Sequence, residues 1–278
     1  MNKVATILIS TLLFSSQSFA ETATTQDAAP AASVEKKEAT TLSLENGLEI
    51  TATEKHEEDA ALPYTIDVSY PQISGDNLST HAQEFNRLIR DTVNNSMQKF
   101  KNYVKADMPH MQTLPESVKH NSLHIDYDID VIKPANETFI SVRLSIEGMQ
   151  AGRAHPYHQH QVLNFNLTKG KVLALKDLFK PGANYLNILA KYASKTLNEK
   201  LQDKWMISEG TAPVAKNYPL WNLESDDLLI TFDEYQVAPY VYGTQEVEIP
   251  YSALSGIIGS QSPIAPCVKE VNSCALEK

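Results

Sequence analysis

The chain is short of the residues on which several kinds of chemistry depend. Of its 278 residues only two are cysteine, Cys267 and Cys274. A zinc site takes more ligands than this pair supplies, and their spacing is not the redox Cys-x-x-Cys. In an oxidising compartment the pair reads as a short-loop disulfide that ties the tail locally and adds little to the main core. There is no glycine-rich phosphate cradle, no Gly-x-Ser-x-Gly and no His-Glu-x-x-His. Ser194-Lys195 lies inside a predicted helix with the wrong spacing for Ser-x-x-Lys, and Ser255-Gly256 lacks the leading glycine of a nucleophile elbow. Positive charge is also scarce. Lys and Arg number 24 against 34 Asp and Glu, a net charge of −10, and the sequence pI is about 5.3. That balance argues against nucleic acid or an anionic membrane as main partner and suits a basic protein or cationic ligand. No stretch is long and apolar enough to span a bilayer.

What is present begins with a processing signal. Lys3, an apolar run over 4–14 and Ser18-Phe19-Ala20 form the three parts of a signal peptide over 1–20, cleaved after Ala20. Glu21 then leads the mature chain, and since it is not cysteine a lipid anchor there is excluded. The expectation is a soluble periplasmic or secreted protein without a membrane span. Residues 21–60, rich in Ala, Thr, Glu and Lys, read as a flexible linker, with an edge strand over 42–53. The remaining composition, 42% hydrophobic and 21% charged across the chain, supports one or two domains.

Periodicity supplies the elements. Tyr64, Ile66, Val68 and Tyr70 alternate as a strand that Pro71 ends. Thr80 and Gln83 make a capping box for a helix running to about 105, whose stripe is Ala82, Phe85, Ile89, Val93, Met97, Phe100 and Val104. A loop over 107–119 follows. Strands over 122–132 and 138–147 form an antiparallel hairpin with one wet face, and strands over 158–167 and 172–175 form another around Lys169-Gly170. A second amphipathic helix, capped by Asn184, runs to about 202. Strands over 220–223, 228–232 and 245–249 surround an aromatic turn, and a short helical end over 251–257 closes the fold. The order predicts an α+β fold of two similar halves, each a helix on mostly antiparallel sheet. The boundaries are an N-terminal domain over 61–150, a C-terminal domain over 151–257, and a mobile tail over 258–278 held by the disulfide.

Candidate chemistry gathers in three places. His155, His158 and His160 have donor types suited to zinc or copper, but their spacing fits no metalloenzyme signature and no carboxylate stands between them as base. A polar strand face accounts for them better. Asp126, Asp128 and Asp130 share a strand face about 6.6 Å apart per step, too wide for one calcium ion, and read as solvated. The turn holds Asp233, Glu234, Tyr235, Tyr240 and Tyr242. Tyrosines on a loop offer contact area at small entropic cost, so the turn is either a binding surface or a corner whose rings bond backbone carbonyls. Tyr242 is the ring expected to be exposed.

The stretch Phe232-Asp-Glu-Tyr-Gln-Val-Ala-Pro-Tyr-Val-Tyr-Gly243, followed by Ile249-Pro-Tyr251 and Leu254, resembles the C-terminal signature of a bacterial extracytoplasmic family of unknown function. Ala154-His155-Pro156, the run Leu163 to Lys171 and Leu175-Lys-Asp-Leu-Phe179 resemble its earlier signature. Residues 62–150 resemble the companion domain that precedes it. In that family the pair forms the lysozyme-binding ectodomain of an anti-sigma factor and the non-catalytic N-terminal region of a peptidoglycan deacetylase. The resemblance implies recognition of lysozyme-like proteins or peptidoglycan fragments. Together with the missing catalytic motifs it leads to the expectation of no cofactor and no chemistry of its own, with His155, Tyr235, Tyr240 and Tyr242 as the candidate binding residues. The chain departs from both relatives, having neither a membrane helix nor a deacetylase domain with its metal motif. The alternative is a cell-wall hydrolase or deacetylase using His155 and nearby carboxylates.

Overall fold

A computed structural model describes residues 41–59, 61–202, 204–268 and 274. The expected signal peptide over 1–20 and the first part, 21–40, of the linker expected over 21–60 lie outside the described residues, whereas residues 42–43 and 49–59 of that expected linker are strand, because their backbone pairs into the larger sheet. Among the described residues ten strands form two sheets. The larger has seven strands in sequence order: β1 (Leu42–Ser43), β2 (Glu49–Asp59), β3 (Tyr64–Ser74), β4 (Asn121–Ile132), β5 (Phe139–Met149), β6 (Tyr157–Asn166) and β7 (Lys171–Val172). The smaller has β8 (Trp221–Leu223), β9 (Asp227–Phe232) and β10 (Gln245–Pro250), with β9 central. Helix α1 (Thr80–Met111) joins β3 to β4, the parallel neighbours in a sheet otherwise antiparallel. A parallel pair needs such a crossover because its strands start from the same end. Helix α2 (Tyr185–Lys200) and the single turn α3 (Ile207–Gly210) lie between the sheets in sequence. The fold is α+β.

Each sheet carries one helix. The stripe of α1 closes on Ile66, Val68, Leu123, Ile125, Val142 and Leu144, forming one apolar core. Leu189, Ala190, Ala193 and Leu197 of α2 pack on Leu228, Ile230, Val247 and Ile249, forming the other. The larger sheet extends through residue 172, so the two layers differ in size.

Several boundaries differ from those the sequence predicts. The cap of α1 is Ser79, whose hydroxyl accepts from the Ala82 N–H at 3.1 Å, while Gln83 reaches back to the Leu78 carbonyl. The helix also runs past Pro109 to Met111. Proline there removes one bond in a last turn where the following N–H groups still find partners, and burial of Met111 draws the turn into the core. Strand β3 continues through Pro71 to Ser74. Its pairing with β4 stops at Val68, so the proline lies where one side carries no ladder, the position a strand tolerates. Asn86 of α1 supplies the missing partner. Its Oδ1 accepts from the Ile73 N–H at 2.7 Å, and its Nδ2 donates to the Ile73 carbonyl at 2.8 Å.

The face of β5 and β6 expected to be wet is partly covered. Ser141 and Asn164 are buried in a polar seam against the smaller sheet. The Ser141 hydroxyl donates to Asn164 Oδ1 (2.8 Å) and accepts from the Leu223 N–H (2.9 Å), and Asn164 Nδ2 donates to the Trp221 carbonyl (2.7 Å). Arg143 extends the seam, donating to Thr231 Oγ1 (3.0 Å), Glu246 (2.5 Å) and Asp128 (3.0 Å). The tail is likewise packed. The Cys267–Cys274 disulfide is present, and both cysteines and Ile264 lie in the core of the smaller sheet. The Ser262 hydroxyl donates to the Leu178 carbonyl at 2.6 Å, and the Lys133 N–H donates to the Cys274 carbonyl at 2.9 Å. The described part of the tail thereby joins the core of the smaller sheet, because Ile264 and the sulfur pair bring apolar surface that the neighbouring core buries.

Candidate functional site: a tyrosine turn braced on a histidine strand

The turn that follows β9 is anchored from inside. Val237 and Ala238 are buried in the core of the smaller sheet. Gln236 Nε2 donates to the carbonyls of Asn217 (2.9 Å) and Gly210 (3.2 Å). Gly210 is required here: a Cβ on it would fall 2.0 Å from the Gln236 carbonyl oxygen. The Gln236 N–H donates to the Asp233 carbonyl at 3.1 Å, which closes the chain tightly around Glu234 and Tyr235. Tyr235 adopts φ +64°, a left-handed conformation rare for a bulky residue, one that costs energy and persists only where its surroundings enforce it.

The outer half of the turn faces water. Tyr235 is 56% exposed and Val241, between Tyr240 and Tyr242, is 84% exposed. Tyr240 and Tyr242 are half-buried. Tyr242 packs against the core, so the ring expected to be outermost is held in and Tyr235 stands out instead. Tyr240 donates its hydroxyl to the Pro156 carbonyl at 3.0 Å. Its ring lies 3.9 Å from that of His155, tilted by 31°, and 5.9 Å from that of Tyr235. The structure therefore brings His155, Tyr240 and Tyr235 into one row of rings, with Val241 at the apex of the same turn. Desolvation, followed by the negative field of Glu234, holds the Tyr240 hydroxyl above its ordinary pKa.

Carboxylates fix this row to β6. His158 Nδ1 lies 2.6 Å from Glu234 Oε1, and its Nε2 lies 3.3 Å from Glu147 Oε2. His160 Nδ1 lies 2.6 Å from Asp233 Oδ1, and the His160 N–H donates to the other Asp233 oxygen at 3.4 Å. Glu234 and His160 have side chains only 8% and 10% exposed, while His158 and Asp233 keep 34% and 29%, so these contacts are partly shielded from water and screening. The three histidines do not converge. His155 Nδ1 faces the Pro156 carbonyl at 2.8 Å, and the other two each engage their own carboxylate. Among the described residues no group of three or more His, Cys, Asp or Glu is arranged to hold a metal ion. As chemistry, the arrangement clamps the turn: its polar groups are spent on holding Asp233 and Glu234.

The row Asp126, Asp128 and Asp130 is not a uniform solvated face. Asp128 pairs with Arg143, whereas burial, followed by repulsion from Asp128, raises the pKa of Asp130. Glu224 lies in the same field. Burial and then the charges of Asp130, Glu248 and Asp227 push its pKa up to about 7. Sequence reading missed Glu224, and also Val241, whose position between two tyrosines after Pro239 was the available signal.

The fold is one already seen in solved proteins. A member of the DUF3298 family from Bacteroides fragilis superposes over 80% of this chain and 97% of its own, with a TM-score of 0.59 and 16% identity. A DUF3298 family protein from Pseudomonas aeruginosa superposes over 77% and 94%, with a TM-score of 0.50 and 17% identity. Residues 176–252 match the family described as protein of unknown function, DUF3298, and that segment contains the whole turn. By sequence the chain is similar to the anti-sigma-V factor RsiV of Bacillus subtilis, 26% identical over 212 residues, covering 73% of this chain and 68% of that protein. It is also similar to the peptidoglycan-N-acetylmuramic acid deacetylase PdaC of the same organism, 30% identical over 148 residues, covering 52% of this chain. The chain spans only 31% of that deacetylase's length. No helix among the described residues is long and apolar enough to cross a membrane.

Proposed function

We propose that the chain is a non-enzymatic recognition protein of the cell envelope, acting outside the cytoplasm, and that its ligand is a lysozyme-like protein docking on the tyrosine turn. Similarity to an anti-sigma factor and to a peptidoglycan deacetylase supports the envelope setting. The observation that carries the docking site is the exposed half of the turn, with Tyr235 and Val241 held out by a strained, internally clamped backbone. Large rings presented on a rigid loop lose little entropy on binding. The net charge of −10 attracts a basic partner and repels acidic ones. Clamping the histidines and carboxylates against one another, rather than around a vacant reaction centre, favours recognition over hydrolysis. The test is capture of the mature chain by immobilised lysozyme and, in a second arm, by purified peptidoglycan. Binding to lysozyme supports the reading, and binding to neither overturns it.

A further inference from the structure

A second candidate site lies in the other layer, between α1 and the start of β6. Helix α1 crosses the larger sheet obliquely. Near its N-terminus Phe85 packs on Phe165 and His81 Nδ1 lies 3.2 Å from the Leu167 carbonyl, and at its far end Met111 meets Asn121. Over the first half of β6 the helix and the strand leave a gap between their side chains, and a cavity of about 450 Å3 opens there. Lys99, Phe100 and Tyr103 of α1 form one wall, and Tyr157, Gln159 and Gln161 of β6 form the other. Tyr157 lies flat on bare backbone. Its pairing partner on β5 is Gly148, where a Cβ would fall 2.3 Å from the ring. Burial and then the nearby Tyr103 raise the pKa of the Tyr157 hydroxyl, so it stays a neutral donor. Gln161 Nε2 donates to Ser96 Oγ at 3.1 Å, which orients its amide within the wall.

We infer that this groove binds a neutral saccharide of one or two rings. Its volume falls in the range of small-molecule sites, roughly 300–1,000 Å3. Gln159, Gln161 and Gln150 each offer a carbonyl acceptor and an NH2 donor, which suits hydroxyl and acetamido groups that donate and accept at once. Tyr103 and Tyr157, both half-buried, supply flat apolar surface for the C–H face of a pyranose ring, with Phe100 buried behind them. Lys99 is the one charged side chain in the wall, so a strongly charged ligand lacks a matching set of counter-charges. The inference goes beyond the docking reading of the turn and does not rest on it. Lysozyme capture uses other residues, and its failure leaves this site standing.

Saturation-transfer NMR on the mature chain, with N,N′-diacetylchitobiose and cellobiose as probes, tests the inference. The expected result is transfer to the ring protons of at least one disaccharide. Gln159→Ala should then weaken it about fivefold, the loss of one hydrogen bond, with an unchanged melting curve. Tyr103→Leu is the second variant and should weaken binding at least as much by removing a ring. Absence of transfer from both disaccharides at about 10 mM, above the millimolar range of weak sites, would overturn the inference. So would wild-type binding by both variants.

Discussion

The two layers of this protein are built on different physics. The layer of α1 and the larger sheet is held by apolar side chains at regular spacing, with Phe85, Ile89, Val93 and Val104 fully inside. The layer of the smaller sheet has an apolar core too, to which Ile132 and Phe139 of the larger sheet contribute, but its junction with the rest also carries buried polar atoms: the Ser141–Asn164–Trp221 seam, the Arg143 fork, and the histidine–carboxylate contacts of His158 and His160. Apolar packing is tolerant of small adjustments, whereas buried polar groups are costly unless each finds its partner. The lesson is that the turn's position is specified by pairings that carry a penalty when broken, which suits a surface that must be presented in one geometry.

Three perturbations separate the layers. The largest effect is expected in the apolar one. Phe85→Ala leaves a cavity against Phe165 and should cost about 3–5 kcal/mol in chemical denaturation. A loss under about 1 kcal/mol would mean that the α1 layer is loosely packed. Next, Asn164→Ala strands the Trp221 carbonyl and removes the acceptor of the Ser141 hydroxyl, for a loss of about 2 kcal/mol. Asn164→Ala should also increase hydrogen exchange in β8 with little change in α1, and equal increases in both would erase the distinction between the layers.

The smallest effect is one of pH. Glu224 has a folded-state pKa of about 7, raised from an ordinary 4.5 by burial and by Asp130, Glu248 and Asp227. The native state therefore holds this proton more tightly than the unfolded chain does. Its contribution is full below about pH 4.5 and is lost as pH rises through about 7. Because the group keeps part of its contact with water, the loss should be about 1–2 kcal/mol, short of the roughly 1.4 kcal/mol per unit of a fully shielded site. Denaturation at pH values on either side of that window, with Glu224→Gln as control, measures it. A dependence that survives in Glu224→Gln would assign the effect elsewhere.

The same contrast explains what the sequence made legible. Every residue of the α1 stripe from Ala82 to Val104 is buried, because a 3.6-residue period leaves a helix one face to hide. The alternation of β3, β4 and β5 was equally plain. The pairings of His158 with Glu234 and His160 with Asp233 span more than seventy residues and depend on how β6 meets the end of β9, which no local pattern encodes. Asn86, a polar residue on the mainly apolar buried face of α1, had its explanation only once β3 was seen to continue past its pairing with β4. The tail looked mobile because its apolar residues are too few to form an element, yet Ile264 and the disulfide complete a core built by others. Of the turn, sequence pattern found the rings but not their ranking, since Tyr235 stands out at a left-handed backbone position and Tyr242 is retained by packing against the core of the smaller sheet, neither of which is a local pattern.

Surface plasmon resonance of the mature chain against immobilised lysozyme, with Tyr235→Ala beside wild type, tests the central claim that the turn is the recognition surface. The account predicts saturable wild-type binding and a loss of tenfold or more in the variant, about 1.4 kcal/mol or beyond, with no fall in melting temperature. Equal affinity of the two proteins, or no binding by wild type, would contradict it.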